Sequence, residues 1–193
     1  MFAALLDTCV LWPSLQRDFL LSLAVEGLYR PVWSSAILAE LEYEEAAKWV
    51  RRGVDEHEAA RRAGRLISRM RTAFDDAEVS GWEPLDGTYG LPDPDDEHVV
   101  AAAFVAGAGV IVTHNLKHFP DDGLPEGIAV LAPSQFAENT VALGPARAWA
   151  AIEAIVRRSG RYGRQLSPSA VLELLESRYG MVQASGLLRQ AAM

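Results

Sequence analysis

Cysteine is almost missing from this chain: Cys9 stands alone among 193 residues, so no intrachain disulfide can form. That absence fits a reducing compartment, and the cytoplasm is the expected location. Lysine is nearly as scarce, since Lys48 and Lys117 are the only two among 18 basic residues and all the others are arginine. Arginine is the better fork for phosphate. No run of about 18 apolar residues occurs, so no membrane span is expected. The Ala-rich stretch Val99–Ala108 is too short to be one. The first residues, MFAALLDTCVLW, are apolar but carry Asp7 and no basic start, which does not read as a signal peptide. Positive charge is also in deficit. A net charge of −8 argues against a protein that coats nucleic acid through its whole surface. A carboxylate site with a local basic patch is compatible with that charge.

What is present is enough for one good core: half of the residues are hydrophobic and 23% are charged. Residues 2–6 read as a short buried strand that ends at Asp7. Pro13 and Ser14 open a helix with Leu15, Phe19, Leu20 and Leu23 at helical spacing, and Gly27 closes it. Residues 29–33 read as a second strand. Ser34 and Ser35 are natural caps for a helix running to about Arg52. A charged helix follows over roughly 55–76, then a strand over 79–84 and a turn-rich loop over 86–94. Asp95 or Asp96 caps an Ala/Val helix to about Ala106. Residues 110–113 and 128–131 read as buried strands. Strands alternating with helices predict an α/β fold with a mainly parallel sheet, whose active residues gather at the carboxyl ends of strands. Asp7 and residues 113–115 belong on that edge. After Pro133 the pattern is wholly helical, with helices over 145–158, from Ser167-Pro168 to about Tyr179, and over 183–191. A boundary is placed near residue 135, and the 136–193 extension is expected to pack on the first domain or on a partner.

Four segments can carry chemistry. Asp7 is a strand-end acid followed by Thr8; it is either a ligand or nucleophile, or a cap for the next turn. A haloacid-dehalogenase-type phosphatase needs a second Asp two residues on, where Cys9 stands, and a response regulator needs an acidic pair ahead of the first-strand Asp, where none is present. In the helix after Ser34, Ile37, Leu38 and Leu41 face the core, and Glu40 lies at the margin of that face, able to point into a cleft. Glu42, Glu44 and Glu45 read as solvated. Asp93, Asp95, Asp96 and Glu97 place four acids within five positions at a helix start. One or two suffice for the helix N-terminus; the others repel one another unless a cation is present. Hard divalent cations such as Mg²⁺ take such oxygen ligands. Finally, THNLKHF ends a buried strand. His114 and His118 have the spacing of a helical zinc pair, but no cysteine accompanies them, and they read as loop-surface histidines.

Together these segments resemble the PIN-domain family, and within it the VapC toxins of bacterial toxin–antitoxin pairs. The resemblance rests on LLDTCVL, SSAILAEL, DPDDEHVVAAA and THNLKHF, in that order, over roughly residues 1–135. It implies a PIN-like three-layer α/β fold with a mainly parallel central sheet, residues 1–135 being the nuclease domain and 136–193 a small all-helical C-terminal extension. It also implies metal ligation by Asp7, Glu40 and Asp96, with Asp96 preferred to Asp93 and Asp95, which support it. Thr113 matches the family Thr and orients the cluster. Asn115 stands where the family usually has a fourth catalytic Asp, and His118 where it often has another; Asn115 offers a carbonyl oxygen but no charge. The implied activity is Mg²⁺- or Mn²⁺-dependent endoribonuclease, with RNA as substrate, an antitoxin protein as partner and a homodimer as an allowed state. The alternative is a PIN-like RNA- or protein-binding module with weak or no catalysis.

RNA needs positive charge near the acids. Arg61, Arg65 and Arg69 form one stripe of about 12 Å on the charged helix. It is read either as an RNA-phosphate track or as a solvated face with Glu58–Arg62 as a helix pair. Arg157, Arg158, Arg161 and Arg164 form a second patch in the extension.

Overall fold

A computed structural model describes residues 1–160 and 164–192. In chain order the elements are β1 (Ala3–Leu6), α1 (Thr8–Leu11), α2 (Ser14–Val25), β2 (Arg30–Ser34), α3 (Ser35–Arg51), α4 (Glu56–Ala73), β3 (Glu78–Val79), α5 (Glu97–Val105), β4 (Val110–Val112), β5 (Ala129–Leu131), α6 (Pro133–Ala142), α7 (Pro145–Arg158), α8 (Pro168–Tyr179) and α9 (Val182–Ala191). They gather into two compact units. One holds Phe2–Trp12 and Pro31–Val130; the other holds Met1, Pro13–Arg30 and Leu131–Met193.

The first unit is built on a five-stranded sheet of order β3-β2-β1-β4-β5. Its all-parallel arrangement and flanking helices give the expected PIN-like α/β fold. β1 lies at the centre, and Ala4, Leu5 and Leu6 are completely buried. A strand covered on both faces needs a continuous apolar run, which the sequence supplies. β1 pairs in parallel with β4, Leu6 opposite Val112. The ladder continues one step further, the Asp7 amide donating to the Val112 carbonyl at 3.1 Å. Asp7 and Thr113 therefore leave the sheet side by side.

α3 starts where the Ser34 side chain accepts from the Ile37 amide at 3.1 Å, satisfying one orphan donor of the first turn. Ile37, Leu38 and Leu41 are buried, which leaves Glu40 outside the core face. Glu45, expected in solvent, is buried and ion-paired with Lys48, whose ammonium stands 5.6 Å from the Trp12 ring. The ion pair offsets part of the cost of taking the carboxylate out of water. The strand expected over 79–84 shrinks to Glu78–Val79. Gly81 turns the chain with φ +79, and Pro84 enters a short 3-10 turn, so the extended run cannot continue. Glu97 is buried too, and its carboxylate accepts from the amides of Tyr89, Gly90 and Leu91 at 2.8, 2.8 and 3.1 Å. It thus ties down the loop that delivers Asp93.

The second unit packs α2 with α6, α7 and α8, and α9 with α6, α7 and α8. Its core holds Tyr29 edge-on to Phe136 at 4.9 Å between ring centres, the Tyr29 hydroxyl donating to the Leu20 carbonyl. α6, which the sequence reading left undivided in the helical tail, opens on Pro133 at its first position. Arg158 donates to Asp18 and Ser22. Arg161 of the second basic patch lies outside the described residues. Among the described residues no helix is long and apolar enough to cross a membrane.

Two outcomes follow from this packing. Leu5→Ala should cost about 2–5 kcal/mol, the usual range for emptying a buried leucine site; denaturant unfolding checks it, and a loss below about 1 kcal/mol contradicts a central β1. The three amides hold Glu97 below its ordinary value of 4.5, against a smaller effect of burial. A depressed carboxylate contributes stability above its unfolded value, and that contribution is lost as pH falls through the folded value. Glu97→Gln should therefore lower the thermal midpoint at pH 7, with the gap from the parent closing as pH drops below the ordinary glutamate range.

Candidate active site

The site lies wholly within the unit built on the sheet, at the carboxyl edge of β1 and β4. Asp7 is the residue before α1, in extended conformation, and its carboxylate makes no capping hydrogen bond. The cap alternative weighed for Asp7 is thereby excluded. The side chain is nearly buried, 5% exposed, and Oδ2 accepts from the Thr113 hydroxyl at 2.6 Å and from the Cys9 thiol at 3.0 Å. Hydrogen bonds to a charged group contribute roughly 1.5–3 kcal/mol each. Burial, then the charge of Asp7, pushes the Cys9 thiol up to about 12, so it remains a protonated donor near neutral pH.

Glu40, about half exposed, reaches across from α3. Its Oε2 accepts from the Thr8 hydroxyl at 2.6 Å and its Oε1 stands 3.1 Å from His98 Nε2. Burial would raise Glu40, but the hydrogen bonds of His98 and Thr8 outweigh it and hold the carboxyl below its ordinary range. The converse applies to His98. Burial would lower it, but the hydrogen bond and charge of Glu40, with Asp7 and Asp86 adding, raise it. His98 Nδ1 is buried with no hydrogen-bond partner among the described residues. The sequence reading passed over His98; its place one helical turn into the Asp-rich segment was the available signal.

Asp96 precedes α5, and its carboxylate also makes no cap bond. Asp93 caps the 3-10 turn just before α5, Pro94–Asp96, accepting from the Asp95 amide at 3.2 Å. Asp95 is exposed. Burial raises Asp96 above its ordinary value, as do the charges of Asp7 and Asp93, with His118 opposing. His118, read from the sequence as a loop-surface residue, instead turns inward: its Nδ1 lies 2.7 Å from Asp96 Oδ2 and 3.6 Å from Asp93 Oδ2.

Asp7, Thr8, Cys9, Trp12, Glu40, Tyr43, Glu44, Arg51, Asp96 and Asn115 line one cleft of about 520 Å³. The three expected ligands thus share a cleft. Yet among the described residues the trio whose ligand atoms all lie within 4.8 Å of one another is Asp93, Asp96 and His118. The Asn115 amide donates to the Thr113 hydroxyl at 3.0 Å, fixing the turn after β4. Among the described residues no lysine or arginine forms an ion pair with Asp7, Asp93 or Asp96. Clustered carboxylates without a basic partner, together with an imidazole, suit a divalent cation. By contrast, Glu58 engages Arg61 and Arg62 by hydrogen bonds and lies 3.8 Å from Arg65. Arg69 is exposed on the same helix.

Comparison with known proteins agrees with this architecture. Residues 3–117 match the family profile described as PIN domain. Over 42 residues the chain is 60% identical to a protein of Mycobacterium tuberculosis (strain ATCC 25618 / H37Rv) named "Putative ribonuclease VapC50". That stretch spans 21% of this chain and a quarter of the mycobacterial protein. No solved structure matches the chain significantly. With the matched residues running from β1 through the Asp-rich helix start to the turn beyond β4, the chain belongs to the PIN-domain family.

Proposed function

We propose that this chain is a metal-dependent endoribonuclease, the toxin of a VapC-type toxin–antitoxin pair. The observation that carries the proposal is that Asp7 and Asp96 each precede a helix without capping it, and their carboxylates line one cleft with Glu40. An acid released from capping, held near other acids and given no lysine or arginine partner among the described residues is electrostatically costly unless it binds a cation. The similarity to a ribonuclease of the VapC series supports the substrate class.

In this reading Asp7, Glu40 and Asp96 hold Mg²⁺ or Mn²⁺. The bound ion supplies Lewis-acid stabilisation of phosphate charge and lowers the pKa of a ligated water. The chain's own residues do the positioning. Thr113 and Cys9 fix the Asp7 carboxylate, and Thr8 and His98 fix Glu40. Asn115, at the cleft wall, offers a neutral oxygen to the same place, and Asp93 and Asp95 support the turn that carries Asp96. Arg61, Arg65 and Arg69 on α4 provide the phosphate track, with Glu58 offsetting part of its charge. Residues 1–135 carry the nuclease and 136–193 are its helical extension. RNA, a cognate antitoxin and a second copy of the chain are the proposed partners, and the cytoplasm the proposed location. A PIN-like binding module with weak catalysis is the second reading, favoured by the uncharged Asn115 in the cleft.

Purified protein should cleave single-stranded RNA with Mg²⁺ or Mn²⁺ and stop with a chelator. Asp7→Asn or Asp96→Asn should each lower the rate on the order of 100-fold or more while the protein stays folded by circular dichroism. Full activity in both variants contradicts the site, and absence of metal-dependent cleavage by the parent favours the binding module. Changing Arg61, Arg65 and Arg69 together to Ala should weaken RNA binding. It should also reduce the slope of log affinity against log salt by about 2, near 0.7 per lost phosphate contact on a single strand. An unchanged slope removes the track.

A further inference from the structure

The acids read as metal ligands from the sequence line the cleft wall, but among the described residues the set of donor atoms that lie within 4.8 Å of one another is a different one, and it contains nitrogen. His118 Nδ1 stands 2.7 Å from Asp96 Oδ2 and 3.6 Å from Asp93 Oδ2. Adjacent donors in an octahedral site with bonds of about 2.1 Å are about 3 Å apart. The 2.7 Å contact is a hydrogen bond, and with all the ligand atoms of the trio within 4.8 Å of one another, small side-chain shifts suffice to bring the three around one small cation. The three come from the ends of two short 3-10 turns, Pro94–Asp96 and Leu116–His118, so the backbone rather than long flexible side chains sets their separation. All three side chains are partly exposed, so an ion can enter.

We propose that His118 is a metal ligand, completing with Asp93 and Asp96 a mixed nitrogen–oxygen site that prefers Mn²⁺ or a neighbouring transition metal to Mg²⁺. The inference rests on the nuclease reading for its purpose but not for its chemistry. Mg²⁺ is hard and strongly prefers oxygen, whereas imidazole binds first-row transition metals well, with affinity rising from Mn²⁺ through Fe²⁺ and Co²⁺. An imidazole in place of an acid at this position also removes one negative charge, which lowers the attraction for any divalent ion but lowers it most for one bound by charge alone. Asn115 compounds the effect, because it adds an oxygen without charge. His118 cannot serve Asp96 as hydrogen-bond donor and a cation as Nδ1 ligand at once. Metal binding therefore displaces the Nδ1 proton.

The test is Mn²⁺ titrated into the full chain, read by electron paramagnetic resonance and calorimetry. Pulsed measurement on the Mn²⁺-loaded parent should show coupling to an imidazole ¹⁴N. Mn²⁺ should bind at least about 10-fold tighter than Mg²⁺, and His118→Gln should abolish the coupling and weaken Mn²⁺ about 10- to 100-fold while changing Mg²⁺ little. His114→Gln, a neighbouring histidine outside the trio, should keep the coupling, and Asp93→Asn should weaken Mn²⁺. No nitrogen coupling in the parent, coupling that survives His118→Gln, or equal affinity for the two ions overturns the proposal; the parent spectrum decides even if a variant misfolds. Nitrogen coupling without RNA cleavage leaves this site standing and removes the nuclease reading. Cleavage without nitrogen coupling does the reverse.

Discussion

The parallel pairing of β1 with β4 is the constraint on which the site depends. With Leu6 opposite Val112 and the Asp7 amide on the Val112 carbonyl, the next side chains along both strands must emerge together. The Thr113 hydroxyl is thereby brought to Asp7, 106 residues away in sequence, at 2.6 Å. A slip of one residue would send both to the opposite faces of the sheet. The complete burial of Leu5, Leu6, Ile111 and Val112 makes such a slip prohibitively costly, so core packing secures the position of a charged group.

Around that edge, the acids fall into two kinds. Glu45 and Glu97 are buried and fully engaged, one by Lys48 and the other by three backbone amides. They hold structure together. Asp7, Glu40 and Asp96 are held in place by hydroxyl, thiol or imidazole groups, with no lysine or arginine among the described residues neutralising Asp7 or Asp96. Asp96 shows the cost directly, since its carboxyl is raised by burial and then by Asp7 and Asp93. Stored repulsion of this kind marks a place adapted to receive positive charge. The Glu40–His98 pair shifts the two groups in opposite directions and keeps Glu40 ionised beside the cleft.

Much of this was legible in the residues. The apolar run ending at Asp7, the Ser34 cap and the Ile37, Leu38, Leu41 face each specify local structure through short-range rules, and each is found in the fold. The ordering of the four acidic and polar segments pointed to the PIN-domain family, which the match over residues 3–117 shows. Where the reading differed, the cause was a long-range partner or a backbone detail. Glu45 looked solvated because it belongs to an acidic run on α3, and only the packed fold buries it with Lys48. His118 looked like a surface residue because its partners Asp93 and Asp96 lie more than twenty residues away. The strand over 79–84 ended early because Gly81 adopts a positive φ, which composition permits but does not require. The compact units are not contiguous in sequence, since Pro13–Arg30 gathers with the C-terminal helices.

The sequence by itself determined most of the elements, the parallel α/β class and the small set of acids able to bind a cation, because caps, periodicity and apolar runs act over a few residues. Tertiary structure alone decided which of those acids are occupied and which are open. It gave Glu97 to the backbone, Asp93 to a turn and His118 to Asp96, and it left Asp7 and Asp96 uncapped at a cleft. The physical reason is that a carboxylate's role depends on what lies within about 3–4 Å of it. Such distances between residues far apart in the chain exist only once the strands have paired.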